Sequence, residues 1–184
     1  MHYTLSDYVL DISQNSIEAG AKNVFIDFFE TEKSLFVKVR DDGKGMTKEQ
    51  QLKALDPFYS DGTKHVKRKV GLGLPFLKHA LETTNGSFQL ESEANKGTTI
   101  TFTFDLTNVD TAPIGNVNEL FFTILTFGNE NHELVIDRRL SKAGKEGQYV
   151  LHRSEISEAV GSLYFADSLI LIRQFLASQE EELF

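Results

Sequence analysis

Three polar side chains on the first predicted helix, residues 5–19, are spaced so that they could form one chemical site. Asp11, Asn15 and Glu18 are four and three residues apart, which places them on one helical face. Asp11 and Asn15 are separated by one turn, about 6 Å along the axis. A carboxylate can activate a water molecule, and an amide oxygen can bind Mg²⁺. The competing interpretation is an ordinary solvated helix face.

The second candidate is the turn Asp41-Asp42-Gly43-Lys44-Gly45-Met46, which directly follows a predicted strand. A carboxylate at a strand end, here Asp41, can accept a hydrogen bond from an exocyclic amine such as adenine N6. The glycines Gly43 and Gly45 would let the backbone approach a flat ring closely. Asp-Gly is, however, also the commonest sequence of a simple turn.

The third candidate is a pair of glycines in Val70-Gly71-Leu72-Gly73-Leu74, at the start of a helix predicted over 72–84. N–H groups and the positive dipole end at a helix N-terminus suit phosphate oxygens, although the same glycines could simply form a hinge. The pattern is neither a Walker A loop nor a Rossmann fingerprint. Residues 56–70 before it lack periodicity and include the basic Lys64, so we expect a mobile lid there.

The fourth candidate, Gly97-Thr98-Thr99 at a strand entry, needs no function when taken alone. The order of the four candidates is what carries information, because it resembles the GHKL superfamily of gyrases, chaperones, histidine kinases and MutL proteins. The resemblance covers residues 1–106. The matching segments are DISQNSIEAGA at 11–21 (N box), 41–46 (G1 box), 55–59 (F box), 70–74 (G2 box) and 77–99 (last helix and hairpin of histidine kinases).

This resemblance implies an α/β two-layer sandwich, the Bergerat ATP-binding fold, in which helices cover one face of a mixed, mostly antiparallel sheet. It also implies that the ligands are ATP or ADP and Mg²⁺. By position, Asn15 would bind Mg²⁺, Asp41 would bind the adenine amine, and Thr98 would support the base pocket. The other expected nucleotide contacts are Gly43, Gly45, Met46, Gly71, Leu72, Gly73, Leu74 and, on charge grounds, Lys64.

Asp11 stands where hydrolysing members of the superfamily usually have Glu. Because Asp is one methylene shorter, we expect it to act as a base in slow turnover. The same carboxylate also suits deprotonating a serine hydroxyl. Three hypotheses therefore stay open: a slow ATPase or ATP-dependent switch that acts on a protein partner, a stand-alone serine kinase of the anti-sigma-factor type, and a non-catalytic interaction module.

A histidine kinase also needs a phosphoacceptor His on an upstream helix. Only Met1–Ser6 precedes the first predicted helix, so we expect no phosphoacceptor domain in this chain. His132-Glu133 superficially resembles the acceptor dipeptide, but it lies downstream in strand-like sequence. An ordinary surface histidine is the simpler interpretation.

Hydrophobic patterning predicts the elements that must position these residues. The predicted strands are 23–29, 34–40, 87–93, 98–105, 133–139 and 148–153. The predicted helices are 5–19 with Ser6 as its cap, 47–55, 72–84, 117–127 and 154–182 with a break near Gly161.

A polar segment at 107–115 is a predicted boundary between an ATP-binding domain, 1–106, and a C-terminal α/β extension, 115–184. The apolar stretch 119–127 needs cover, either on the open face of the sheet or in a homodimer interface. The predicted loop Ser141–Gly147 holds Lys142 and Lys145, which are candidates to reach the γ-phosphate; the alternative is a solvated hairpin loop.

Composition narrows the class of protein. Hydrophobic residues make up 40% of the 184, enough for a sizeable core, and with 0 Cys there are no disulfides or thiolate metal sites. The formal net charge of −8 argues against general binding to nucleic acid or anionic membranes. With neither a signal-peptide pattern nor a long apolar run, we expect a cytoplasmic protein.

Overall fold

The computed structural model describes residues 3–57, 73–128 and 131–183 of the chain. The helices in these ranges are α1 Leu5–Glu18, α2 Lys48–Ala54, α3 Gly73–Thr83, α4 Val117–Thr126, α5 Arg153–Val160 and α6 Ala166–Leu183. The strands are β1 Asn23–Thr31, β2 Ser34–Asp41, β3 Ser87–Glu93, β4 Gly97–Asp105, β5 Glu133–Lys142 and β6 Lys145–His152. The break near Gly161 lies where it was predicted, between α5 and α6.

The described strands form one six-stranded sheet in the order β3-β4-β2-β1-β5-β6. Every neighbouring pair is antiparallel except β1 and β5, which run parallel. The two strands of the C-terminal extension therefore continue the sheet built by the first half of the chain. The division of the chain at 107–115 stays a prediction.

Side chains alternate strictly between the two faces of the central strands, as predicted. On β2, for example, Leu35, Val37 and Val39 are buried, while Lys38 and Arg40 point to the other side. Val37 lies opposite the buried Phe28 of β1, and Phe102 of β4 lies opposite Val37. One face of the sheet thus forms the core beneath the helices, which confirms the predicted two-layer α/β sandwich.

The start of α1 differs from the prediction. Thr4, not Ser6, is the N-cap, and its N–H donates to the carboxylate of Asp7 at 2.9 Å in a capping box. The Ser6 hydroxyl instead donates to the carbonyl of Ile114 at 2.6 Å, and the N–H of Leu5 donates to Pro113 at 2.9 Å. The 107–115 segment is therefore tied to the first turn of α1.

Helix α4 lies on the same face of the sheet as α1, so the expectation that it packs on the open face is wrong. Phe121 of α4 meets the inward-facing Phe28 edge-on, with ring centroids 5.5 Å apart. Helix α1 packs against α4 on one side and against α3 on the other. In the described part of the chain, no helix is long and apolar enough to cross a membrane.

The predicted Ser141–Gly147 loop is a tight two-residue turn. Ala143 and Gly144 both adopt positive φ, +53° and +76°, which is the geometry of a hairpin turn that matches strand twist. The strands therefore extend to Lys142 and from Lys145. Alanine gave no sequence signal for this turn, because non-glycine residues seldom adopt positive φ.

A buried ion cluster fastens the last helix to the sheet. Arg138 of β5 is 1% exposed, and its guanidinium donates to Glu30 of β1 at 2.8 Å and to Glu180 of α6 at 3.0 Å. The Tyr149 hydroxyl also donates to Glu180, at 2.5 Å. Burial raises the pKa of Tyr149, and the neighbouring carboxylate raises it further, so the phenol stays a donor.

We expect Arg138→Met to lower the free energy of unfolding by about 3–5 kcal/mol, because it leaves the buried Glu180 without a cation and Glu30 with only the partly exposed Lys142. Urea denaturation of the full chain measures this. The matched control is Arg139→Met, since the Arg139 side chain is 51% exposed and pairs with Asp137 at the surface. The control should cost below about 1 kcal/mol, and equal losses in both variants would refute the assignment.

Candidate functional site

Asp41, the last residue of β2, is the centre of the candidate site. It is 7% exposed, and both carboxylate oxygens accept hydrogen bonds: Oδ2 from the Ser16 hydroxyl at 2.7 Å and Oδ1 from the Gly43 N–H at 2.9 Å. Ser16 belongs to α1, which packs across β2. Ser16 of the helix and Gly43 of the turn thus hold the buried Asp41 carboxylate through neutral donors and not through a cation.

The neighbouring Asp42 has a structural role. Its carboxylate accepts the N–H groups of Lys22 and Asn23 at 2.7 and 2.9 Å, so it fixes the entry to β1. Partial burial acts to raise the pKa of Asp42, but the hydrogen bonds from Asn23 and Lys22 outweigh it and hold the pKa below its ordinary value. Of the two acids in the turn, only Asp41 faces the helices.

The turn after Asp41 packs tightly against the β3–β4 hairpin. Gly45 has φ +57°, and a Cβ there would lie 2.0 Å from the carbonyl oxygen of Glu93. The close approach at Gly45 is therefore to the backbone of the hairpin, which by itself requires glycine. Gly43 is also crowded, because a Cβ there would lie 3.1 Å from the Ala19 side chain.

Thr98 and Met46 meet beside Asp41 through Ser92. Thr98 is the direct partner of Asp41 across the β2–β4 ladder. The Ser92 hydroxyl accepts the Met46 N–H at 2.9 Å and lies 2.9 Å from the Thr98 hydroxyl. Gln51 of α2 then donates to the Ser92 carbonyl at 2.8 Å. None of the residues of α2 is buried, so polar contacts such as this one help to hold the helix against the hairpin.

Asp11 and Asn15 lie on α1 between the Asp41 end and the start of α3. A Cβ at Gly73, the first residue of α3, would lie 3.1 Å from Oδ2 of Asp11, so the acid lies directly against this helix start. Asn15 is exposed one turn further along α1 and immediately precedes Ser16. Leu74 is half-buried and packs against the core. These residues thus line one end of the sheet.

Three predicted contacts, Lys64, Gly71 and Leu72, lie outside the described residues, as does the 58–70 part of the predicted lid. The candidates Lys142 and Lys145 are described, and the structure places them at the wrong end of the sheet. Asp41 pairs with Val24 and Val24 with Leu134, whereas Lys142 lies eight residues beyond Leu134 on β5. That is about 26 Å along the strand, far beyond the reach of a lysine.

Sequence reasoning missed Ser16, Ser92 and Gln51. Ser16 lies beside Asn15 in the matched segment, but a small residue on a helix gives no sign that it bonds a carboxylate 25 residues away. Ser92 and Gln51 are common surface residue types in a strand and a helix. Only their contacts with the Met46 turn identify them.

Comparisons with known proteins show the family of the chain. Residues 3–108 match the family described as "Histidine kinase-, DNA gyrase B-, and HSP90-like ATPase". The match covers more than half of the chain, so the chain belongs to this family and contains a histidine kinase-like ATPase domain. The predicted membership of the GHKL superfamily is confirmed.

Similar curated proteins include two from Bacillus subtilis (strain 168). The sensor histidine kinase WalK is 33% identical over 101 residues, 54% of this chain and 16% of WalK. Sporulation kinase C is 37% identical over 95 residues, 50% of this chain and 21% of that protein. The chain thus spans about a fifth of the length of these relatives.

Solved structures similar to this chain include two from sensor kinases. The catalytic domain of histidine kinase ThkA is 21% identical with a TM-score of 0.40, and the match covers 54% of this chain and 63% of that one. The mycobacterial sensor histidine kinase MprB is 17% identical with a TM-score of 0.41, covering 53% and 69%.

We expect Gly45→Ala to lower the free energy of unfolding by about 3 kcal/mol or more, because the added methyl collides with the Glu93 backbone in addition to the strain of positive φ. Thermal and urea unfolding measure the loss. Gly144→Ala is the matched control, since Gly144 has φ +76° with nothing within 4 Å of an added Cβ. It should cost about 1–2 kcal/mol, the positive-φ strain alone. Equal costs would show that the hairpin contact is unimportant.

Proposed function

We propose that this chain binds ATP with Mg²⁺ at the Asp41 end of the sheet, hydrolyses it slowly, and uses the cycle to change its affinity for a protein partner. The observation that carries the proposal is the buried Asp41 carboxylate, held by Ser16 and Gly43 at 2.7 and 2.9 Å beside the Met46 turn. Membership of an ATPase family supports ATP as the ligand.

The carboxylate suits adenine in particular. An ionised carboxylate only accepts hydrogen bonds, and each oxygen of Asp41 has acceptor capacity beyond the single donor it meets. Adenine carries an amino donor at C6, whereas guanine carries a carbonyl oxygen there. A guanine oxygen facing Asp41 would place two acceptors together without a hydrogen. We therefore propose selectivity for ATP over GTP.

The phosphates would lie toward the start of α3. Gly73 opens this eleven-residue helix, whose first N–H groups and positive dipole end favour anions. Asp11 lies against the same helix start and would repel a phosphate that no cation neutralises. This supports the proposal that the nucleotide binds as its metal complex.

Oxygen donors of the right chemistry for Mg²⁺ are present on α1. The amide oxygen of Asn15 is exposed one turn from Asp11, and Mg²⁺ prefers oxygen ligands. Among the described residues, no group of three or more His, Cys, Asp or Glu is placed to hold a metal. Asn15 would therefore share the ion with phosphate oxygens and waters, which is usual for Mg²⁺ in nucleotide sites. The ion would neutralise phosphate charge.

Asp11 is the proposed general base. Its carboxylate lies between Asn15 and the start of α3, so it can accept a proton from a hydroxyl group that approaches the phosphate end. That hydroxyl belongs to water in an ATPase. A serine side chain of a partner protein would be deprotonated by the same carboxylate, so phosphotransfer to serine is the alternative that the experiments must separate.

Calorimetric titration with ADP, ATP and GTP, each with and without Mg²⁺, tests the binding step. We expect binding of ATP and ADP in the micromolar range, weaker binding without Mg²⁺, and little binding of GTP. Asp41→Asn should remove most of the affinity, because Asn has one acceptor oxygen where Asp has two, so its NH₂ group would face the Ser16 or the Gly43 donor. No heat with any adenine nucleotide at millimolar concentration would refute the proposal.

Phosphate release then tests the chemical step. Asp11→Asn should lower turnover by about 10²–10³, because the amide cannot accept the proton, and should keep affinity for the Mg²⁺ complex within about threefold, because the ion already neutralises phosphate charge. Radiolabelled ATP and whole-cell protein form the second arm, in which a labelled partner without free phosphate would support the serine kinase alternative. Tight binding with neither product would leave a nucleotide switch without catalysis.

Substitutions of two serines on α1 form a matched pair that tests whether Ser16 positions Asp41. Ser16→Ala removes the donor to Asp41, and we expect nucleotide binding to weaken about 5- to 20-fold with a stability loss of about 1.5–3 kcal/mol. Ser13→Ala is the control, because the fully buried Ser13 hydroxyl donates only to the Val9 carbonyl within the same helix. It should leave binding unchanged. If both variants bind nucleotide like the wild type, Ser16 does not position Asp41.

A further inference from the structure

Helix α6 exposes an apolar flank on the side that faces away from the rest of the molecule. Ile172 and Leu176 are 0% and 1% exposed and face the sheet, while Arg173 points to α4, with its guanidinium 3.7 Å from the Phe122 ring centroid. One residue step rotates a helix by about 100°, so Leu171 and Phe175 lie on the flank opposite α4. They are 51% and 41% exposed.

The flank of α6 that carries Leu171 and Phe175 lies above the β6 edge of the sheet. The C-terminal half of α6 covers β6, because Glu180 bonds Tyr149 and a Cβ at Gly147 would lie 2.5 Å from the Leu183 side chain. Among the described strands, β6 pairs only with β5. The backbone groups on the outer side of β6 and the apolar flank of α6 therefore open toward the same side of the molecule.

This edge is neutral although the chain is strongly acidic. The formal net charge is −8, yet the charged residues of β6 are one Lys145 and one Glu146 at its start, whose charges cancel. Between Ser168 and Ser178, α6 carries only Arg173, which is paired with Glu119 of α4. Two acidic copies can therefore meet here without placing like charges in contact.

The opposite edge of the sheet, β3, is acidic and not neutral. Strand β3 pairs only with β4 among the described strands, but it carries exposed Glu91 and Glu93 within seven residues. Two like charges on an edge strand oppose its pairing with the same strand of a second copy, whereas the charges of Lys145 and Glu146 on β6 cancel. The two edges thus differ in the feature that controls self-association.

We propose that two copies of this chain associate through the β6 edge, with β6 antiparallel to its copy and with Leu171 and Phe175 covered by the other subunit. The outward N–H and C=O groups of an edge strand find their complement in another edge strand, and a two-fold axis presents the same surface to itself. The pairing continues the six strands into one sheet of twelve. This dimer does not depend on nucleotide, so its test is separate from that of the proposed function.

Sedimentation velocity and light scattering of the full chain measure its mass across the micromolar range. We expect a species of twice 20.7 kDa for the wild type. The double variant Leu171→Glu/Phe175→Glu should sediment as a monomer, with dimer affinity lowered by at least about 100-fold, because it buries four carboxylates in an apolar contact. Ile170→Glu is the matched control: it is 55% exposed on another side of the same helix and should stay dimeric.

Cross-linking identifies the edge. Because the chain has 0 Cys, Gln148→Cys introduces a single thiol on β6 and Gln89→Cys a single thiol on β3. A short bismaleimide should link Gln148→Cys into dimers and leave Gln89→Cys monomeric. A monomeric wild type at about 100 µM, equal monomerisation by Ile170→Glu, or preferential linking through β3 would each overturn the proposal.

Discussion

The hydrogen bond from Ser16 to Asp41 is the interaction on which the candidate site depends. A carboxylate that is 7% exposed must be solvated by protein donors, and here the donors come from α1 and from the turn after β2. The bond therefore fixes the helix against the end of the strand. Asp11 and Asn15 lie on the same helix, so this contact also positions the residues that we propose as base and metal ligand.

The buried carboxylates of this protein have two different kinds of hydrogen-bond partner. Glu30 and Glu180 are paired with the cation of Arg138, and Glu30 is also paired with Lys142 at 3.3 Å. Asp41 meets only neutral O–H and N–H donors in the described contacts. This difference supports the proposal that Asp41 binds a ligand, because a carboxylate already paired with a buried cation has little to offer one.

Helix α1 also joins the two halves of the chain. Its first turn bonds Pro113 and Ile114, one flank packs on α4, and the parallel pairing of β1 with β5 brings the extension into the same sheet. The extension therefore contacts the helix that carries Asp11, Asn15 and Ser16.

The sequence by itself determined the local elements and the family. The alternation of Leu35, Val37 and Val39 identified a strand and its buried face, and the ordered motifs identified the superfamily, because both depend on short spacings that survive in one dimension. Tertiary structure alone decided the partner of Asp41, the cap at Thr4, the place of β5 beside β1 and the distance of Lys142 from the site. These depend on residues far apart in the chain, 25 positions for Ser16 and Asp41 and 108 for Ser6 and Ile114. A hydroxyl can bond any nearby acceptor, and only the folded chain determines which acceptor is near.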